Sequence, residues 1–158
     1  MRETFVKTLT KLAEHDDRII LLVGDVGFRF IEDFRDKFPK QFLNCGVIEQ
    51  SMMGIAVGLS KAGYKPYVYS MINFILMRPF EQVRNDICYQ NANVKLFGVK
   101  GSEAYAFLGL SHNISENEDI HLTANLPNII TYIPKTKAEL PGAMELEYDR
   151  LGPCYMRL

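Results

Sequence analysis

The sequence has almost no charge imbalance: 18 basic residues nearly cancel 19 acidic ones over 158 positions. With no excess of either sign, no summed field draws the chain to nucleic acid or to an anionic membrane, so partners must be argued from individual sites. Cysteine is sparse too. Cys45, Cys88 and Cys154 are scattered and lack the paired C-x-x-C spacing that serves zinc or thiol exchange, which reads as buried thiols of a reducing compartment. No apolar run approaches the roughly 20 residues that span a bilayer. The first fifteen residues carry Arg2, Glu3, Lys7, Lys11 and Glu14 where a signal peptide needs an apolar stretch. A cytoplasmic protein is the expectation.

Several chemical signatures are missing as well. There is no G-x-G-x-x-G after the first apolar run and no G-x-x-x-x-G-K-[ST], so neither dinucleotide nor P-loop binding has its backbone cradle. A G-x-S-x-G elbow is absent, and His15, His112 and His121 have no zinc-like spacing with the cysteines. Hydrolase and metalloenzyme readings lose their main support.

What is present is one domain's worth of apolar residues, 47% of the chain, with no linker, repeat or low-complexity stretch. A single domain over 1–158 is expected. Phe5, Val6, Leu9, Leu12 and Ala13 fall on one face of a helix over 3–15. The unbroken run Ile19-Ile-Leu-Leu-Val23, stopped by Gly24-Asp25, has the composition of a strand buried on both faces. Alternation continues: helices near 29–38, 48–62, 76–90, 117–124 and 137–148, and strands near 42–44, 66–70, 94–99, 129–133 and 154–158. Such βα alternation predicts an α/β fold, a doubly wound and mainly parallel sheet with helices on both faces. Ligands on such sheets bind beyond the carboxyl ends of the strands, which directs attention to residues 24–27, 45–50, 70–74 and 100–112.

Residues 44–60 place an acid, Glu49, at the start of a helix directly after a strand. On its own that carboxylate would satisfy free N–H groups and the helix dipole, worth a few tenths to about 1 kcal/mol. Gly54 and Gly58, one turn apart, predict that another backbone can approach the same helix closely, with Met52, Ile55, Ala56 and Leu59 as apolar surroundings. The wider pattern is more specific. Gly24-Asp25, Asn44-Cys-Gly-Val-Ile-Glu49-Gln50, Gly54-Ile-Ala-Val-Gly-Leu59, Gly63-Tyr-Lys-Pro66 and Asn73-Phe74 run in order, followed by Glu81-Gln82-Val-Arg84, Ser111-His112, Glu118-Asp119-Ile120, Leu126-Pro127-Asn128 and Gly152-Pro-Cys-Tyr-Met-Arg-Leu158. Together they resemble, nearly end to end, the pyrimidine-binding domain of the transketolase family, which includes deoxyxylulose phosphate synthase and the β-type subunits of 2-oxoacid dehydrogenases.

The resemblance implies thiamine diphosphate as cofactor and two-carbon ketol transfer between sugar phosphates, with the other family reactions, or a non-catalytic interaction module, as alternatives. It implies that Glu49 hydrogen-bonds N1′ of the aminopyrimidine, that Phe74 stacks on that ring, and that Asp25, Val26 and Met71 line its pocket. His112 is implied to face the substrate. The acid role asks for burial and distance from cations, and in sequence the nearest are Lys40 and Lys61. Three positions depart from the family pattern: Met71 for an aromatic, Leu108 for an acid, and Asn113 for a second histidine. The family's Gly-Asp-Gly, which with a later Asn holds the diphosphate and its Mg²⁺ or Ca²⁺, is missing. The resemblance therefore implies a partner chain carrying the metal and diphosphate half, resembling a transketolase N-terminal section, in a homo- or hetero-oligomer.

Overall fold

The structure is a computed structural model that describes residues 1–101 and 103–158. Six strands form one sheet: β1 (Ile19–Val23), β2 (Phe42–Asn44), β3 (Lys65–Met71), β4 (Lys95–Val99), β5 (Ile130–Tyr132) and β6 (Cys154–Arg157). Their order is β2-β1-β3-β4-β6-β5, and every pairing is parallel. The doubly wound reading of the sequence holds, with "mainly parallel" strengthened to wholly parallel. Around the sheet lie α1 (Arg2–Ala13), α2 (Glu32–Lys37), α3 (Glu49–Lys61), α4 (Phe80–Gln82), α5 (Glu118–Thr123) and α6 (Glu139–Asp149).

Period-two alternation divides the strand residues between two cores. Leu22, Val68, Leu96 and Tyr155 join Met52, Met53 and Ala56 of α3 on one face. Leu21, Tyr67, Phe97 and Met156 join Phe5 and Leu9 of α1, Phe34 of α2 and Leu140 of α6 on the other. The second core is rich in aromatic contacts, with Phe5 4.5 Å from Phe97 and 5.5 Å from Tyr69 between ring centroids. Both faces of the central strands are thus sealed by helices, which is why their sequences are apolar throughout rather than alternating.

Two expectations need correction. The single helix expected near 76–90 begins earlier and is not one α-helix: π-helical turns at Asn73–Met77 and Val83–Cys88 flank the short α4. Pro79, just before α4, has no N–H to continue the ladder, and the wide turns shift the register that a 3.6-residue period assumes. Gly54 and Gly58 do not meet another backbone of this chain; a Cβ built on either finds nothing within 4 Å. Their face of α3 points outward.

Candidate functional site

The chain steps from β1 outward to β2 and then back across to β3, so the order of winding reverses beside β1. Loops on either side of that point diverge and leave a crevice at the carboxyl ends of the strands. Asp25 follows β1, Glu49 follows β2, and Phe74 follows β3. Three of the residues singled out from sequence are delivered to one crevice by topology alone.

Glu49 is placed by a turn after β2 in which Gly46 takes φ +73 and the Ile48 N–H donates to the Gly46 carbonyl at 2.9 Å. It is the first residue of α3 and only 4% exposed. The helix start carries no side-chain cap bond. Instead, both carboxylate oxygens of Glu49 accept from Arg78 Nη1 at 3.2 Å. This corrects the expectation of a carboxylate remote from cations, because Arg78 lies 29 residues further along the chain and is brought in by the β3 loop. Behind the carboxylate, Gly24 keeps the strand end open: a Cβ there would sit 3.5 Å from Glu49 Oε1. Glu49 and Arg78 line a cleft of about 440 Å³ with Val47, Ile48, Gln50 and Ser51.

Phe74 and Arg78 are one turn apart on the segment after β3, and the Arg78 Cζ lies 3.8 Å above the Phe74 ring centroid. Phe74 is 7% exposed. At the edge of the same ring stands His112, 5.1 Å away with the planes at 80°. Tyr105 stacks against His112 at 5.9 Å, and Ser111 Oγ bonds its Nδ1 at 2.9 Å. The loop carrying His112 is fixed to the sheet by buried Asn73, whose Nδ2 donates to the carbonyls of Leu110 at 2.8 Å and Asn113 at 3.0 Å. Gly101 allows the loop to close, since a Cβ there would collide with Asn113 Oδ1 and lie 2.5 Å from the His112 carbonyl. Asn113 turns its own amide back to the carbonyls of Tyr105 and Gly109, both at 2.9 Å. The position read as a displaced second histidine is occupied in holding the loop.

Asp25, Val26 and Met71 lie beside a second cleft of about 190 Å³, which also includes Tyr69 and Tyr105. Asp25 takes φ +54 and is held there by Asn44: the Asp25 N–H donates to Asn44 Oδ1, and Asn44 Nδ2 donates to Asp25 Oδ1, each at 3.1 Å. Burial pushes the Tyr69 hydroxyl up to about 12, so it faces this cleft as a neutral group. Tyr105 joins the halves, touching His112 on one side and lining the Met71 cleft on the other. Among the described residues, no three His, Cys, Asp or Glu side chains gather as a metal-ligand group.

Sequence reasoning therefore found Glu49, Phe74 and His112 but missed three residues that connect them. Arg78 could have been found from its i, i+4 spacing to Phe74, which places both on one helical face. Asn73 carried only its buried position after a strand as a clue. Tyr105 carried none.

A family model described as "Transketolase, pyrimidine binding domain" matches residues 1–158. One of the two subunits of the apulose-4-phosphate transketolase of Phocaeicola vulgatus is 34% identical over 158 residues, covering 99% of this chain and 50% of that protein. A 6-deoxy-6-sulfo-D-fructose transketolase subunit of a Clostridium species is 31% identical over 159 residues, covering 100% of this chain and 49% of its own length. Among solved structures, a split-gene transketolase described as an inactive β4 tetramer superposes with a TM-score of 0.87 at 34% identity, over 99% of this chain and 50% of that one. The chain thus spans about half the length of the relatives it matches.

Proposed function

The chain belongs to the transketolase pyrimidine-binding domain family, and from that premise we propose that it forms the aminopyrimidine half of a thiamine-diphosphate site completed by a partner chain. The observation that carries this reading is Glu49: a carboxylate 4% exposed, aimed into a cleft at the winding reversal, beside the flat face of a buried aromatic ring. Those groups fit the cofactor's chemistry. A desolvated carboxylate can hold or share a proton with a ring nitrogen, and Phe74 offers the stacking surface that orients a planar heterocycle.

When bound, thiamine diphosphate supplies a thiazolium carbon that loses its proton and attacks a ketose carbonyl. Glu49 holds the proton at pyrimidine N1′. Phe74 orients the ring, Val26 and Met71 wall its second side, and His112, carried on the Asn73-pinned loop, faces substrate oxygen atoms. The diphosphate and its Mg²⁺ or Ca²⁺ are assigned to the partner, a reading supported by the missing Gly-Asp-Gly and by the description of the solved relative as an inactive β4 tetramer. Two-carbon transfer between sugar phosphates is the reaction proposed, in keeping with the transketolase names of the relatives.

The test follows deuterium exchange at C2 of thiamine diphosphate in the complex with its diphosphate-binding partner. Glu49→Ala should slow exchange by about 10²-fold or more, the usual worth of a positioned acid–base group. Equal rates for wild type and variant would remove Glu49 from the mechanism.

A further inference from the structure

Arg78 has no role in the reading given so far, yet it makes the two contacts that the reading reserves for the cofactor ring. Its planar guanidinium lies 3.8 Å over Phe74 and bonds both oxygens of Glu49 at 3.2 Å. Because one guanidinium touches both, it covers the face of Phe74 that looks toward Glu49. A ring stacked on that face and hydrogen-bonded to that carboxylate needs the same space. We propose that Arg78 is a resident competitor for the aminopyrimidine seat, which must swing out for the cofactor to bind and which thereby sets its affinity.

The side chain suits a movable occupant. It is 45% exposed, whereas the Glu49 side chain is 4% exposed, so one partner is fixed in the protein and the other reaches in from solvent. Its stacking and its exposed ion pair are each modest contacts, together able to hold the seat without closing it to a tighter ligand. While seated, it also shields a buried carboxylate that would otherwise stand unpaired.

This inference rests on the proposed function, and calorimetric titration of the complex with thiamine diphosphate and magnesium separates the two. Wild type, Arg78→Ala and Arg78→Lys are compared, with thermal midpoints as the check of folding. Lysine retains the charge but not the planar fork that stacks and spans both oxygens. The expected result is that both variants bind more tightly than wild type, by about three- to tenfold for alanine. Affinities equal to or weaker than wild type in both variants overturn the competition. Tightening in alanine alone assigns the effect to charge and overturns seat sharing. If wild type and both variants fail to bind thiamine diphosphate at all, the proposed function itself falls, and this inference with it.

Discussion

At Phe74 two demands meet on one ring. It is part of the buried surface behind β3, and its faces and edge carry Arg78 and His112. Phe74→Leu keeps apolar bulk and should cost under about 1.5 kcal/mol of stability. It removes the flat face, and aromatic stacking worth about 0.5–1.5 kcal/mol beyond area burial corresponds to cofactor binding weakened by roughly two- to tenfold. Titration with thiamine diphosphate checks this, and an unchanged dissociation constant would count against stacking on Phe74. Asn73 tests a different link, because it touches only the carbonyls of Leu110 and Asn113 and the Met77 sulfur. Asn73→Ala should lower the urea midpoint by about 1 kcal/mol equivalent. If it acts by positioning His112, it should also depress kcat/KM for sugar phosphate while leaving Glu49-dependent C2 exchange at the wild-type rate. Loss of both together would mean that the loop supports the cofactor seat and not only the substrate side.

Between elements, α5 and β6 are tied by Asp119, which is fully buried and accepts from Tyr155 Oη, Arg157 Nη2 and, at 2.8 Å, Arg157 Nε. Burial alone would raise this carboxyl, but the bonds from Arg157 and Tyr155 outweigh it and hold it below the ordinary value. Glu147 behaves alike, with burial opposed by Arg150, Lys95 and Tyr132. The unfolded chain therefore takes up these protons first, near pH 4, so the stabilisation is complete above that point and is lost as pH falls through the lower folded values. Urea midpoints should be flat from pH 7 to about pH 5 and fall steeply below about pH 4. Asp119→Asn should cost about 3–5 kcal/mol at pH 7, by stranding Arg157, and should flatten the acid limb. An equally steep limb in the variant would place the titration elsewhere. These elements also mark what the sequence makes legible. Strands such as Ile19–Val23 stand out because burial on both faces requires unbroken apolar runs, and α3 because an acid in its first turn, a lysine in its last and its periodicity agree. The segment after β3 does not, since π-helical turns obey no common period. Glu49 was legible by its place between strand and helix, whereas the Arg78 contact depends on a fold-level juxtaposition that no local pattern encodes.

For the whole molecule the open question is which surfaces meet other chains, and the outward face of α3 is the place where sequence and structure together make a claim. Gly54 and Gly58 are bare, Ile55 is 38% exposed, and Val47 and Ile48 at the start of the helix are 65% and 48% exposed. Small residues predict close approach of a backbone, and within this chain none arrives. Assembly of two chains across this face would satisfy the pattern and would bring the starts of two α3 helices, each beginning with Glu49, into one interface. Ile55→Arg places a charge at the middle of that face. As a surface change it should leave the stability of the single chain within about 0.5 kcal/mol, since the residue contributes to neither core. An unpaired buried charge is costly, however, so self-association followed by sedimentation velocity over a concentration series should weaken by about tenfold or more. A variant that assembles like wild type with an unchanged thermal midpoint would move the interface off α3 and leave the two glycines without a structural reason.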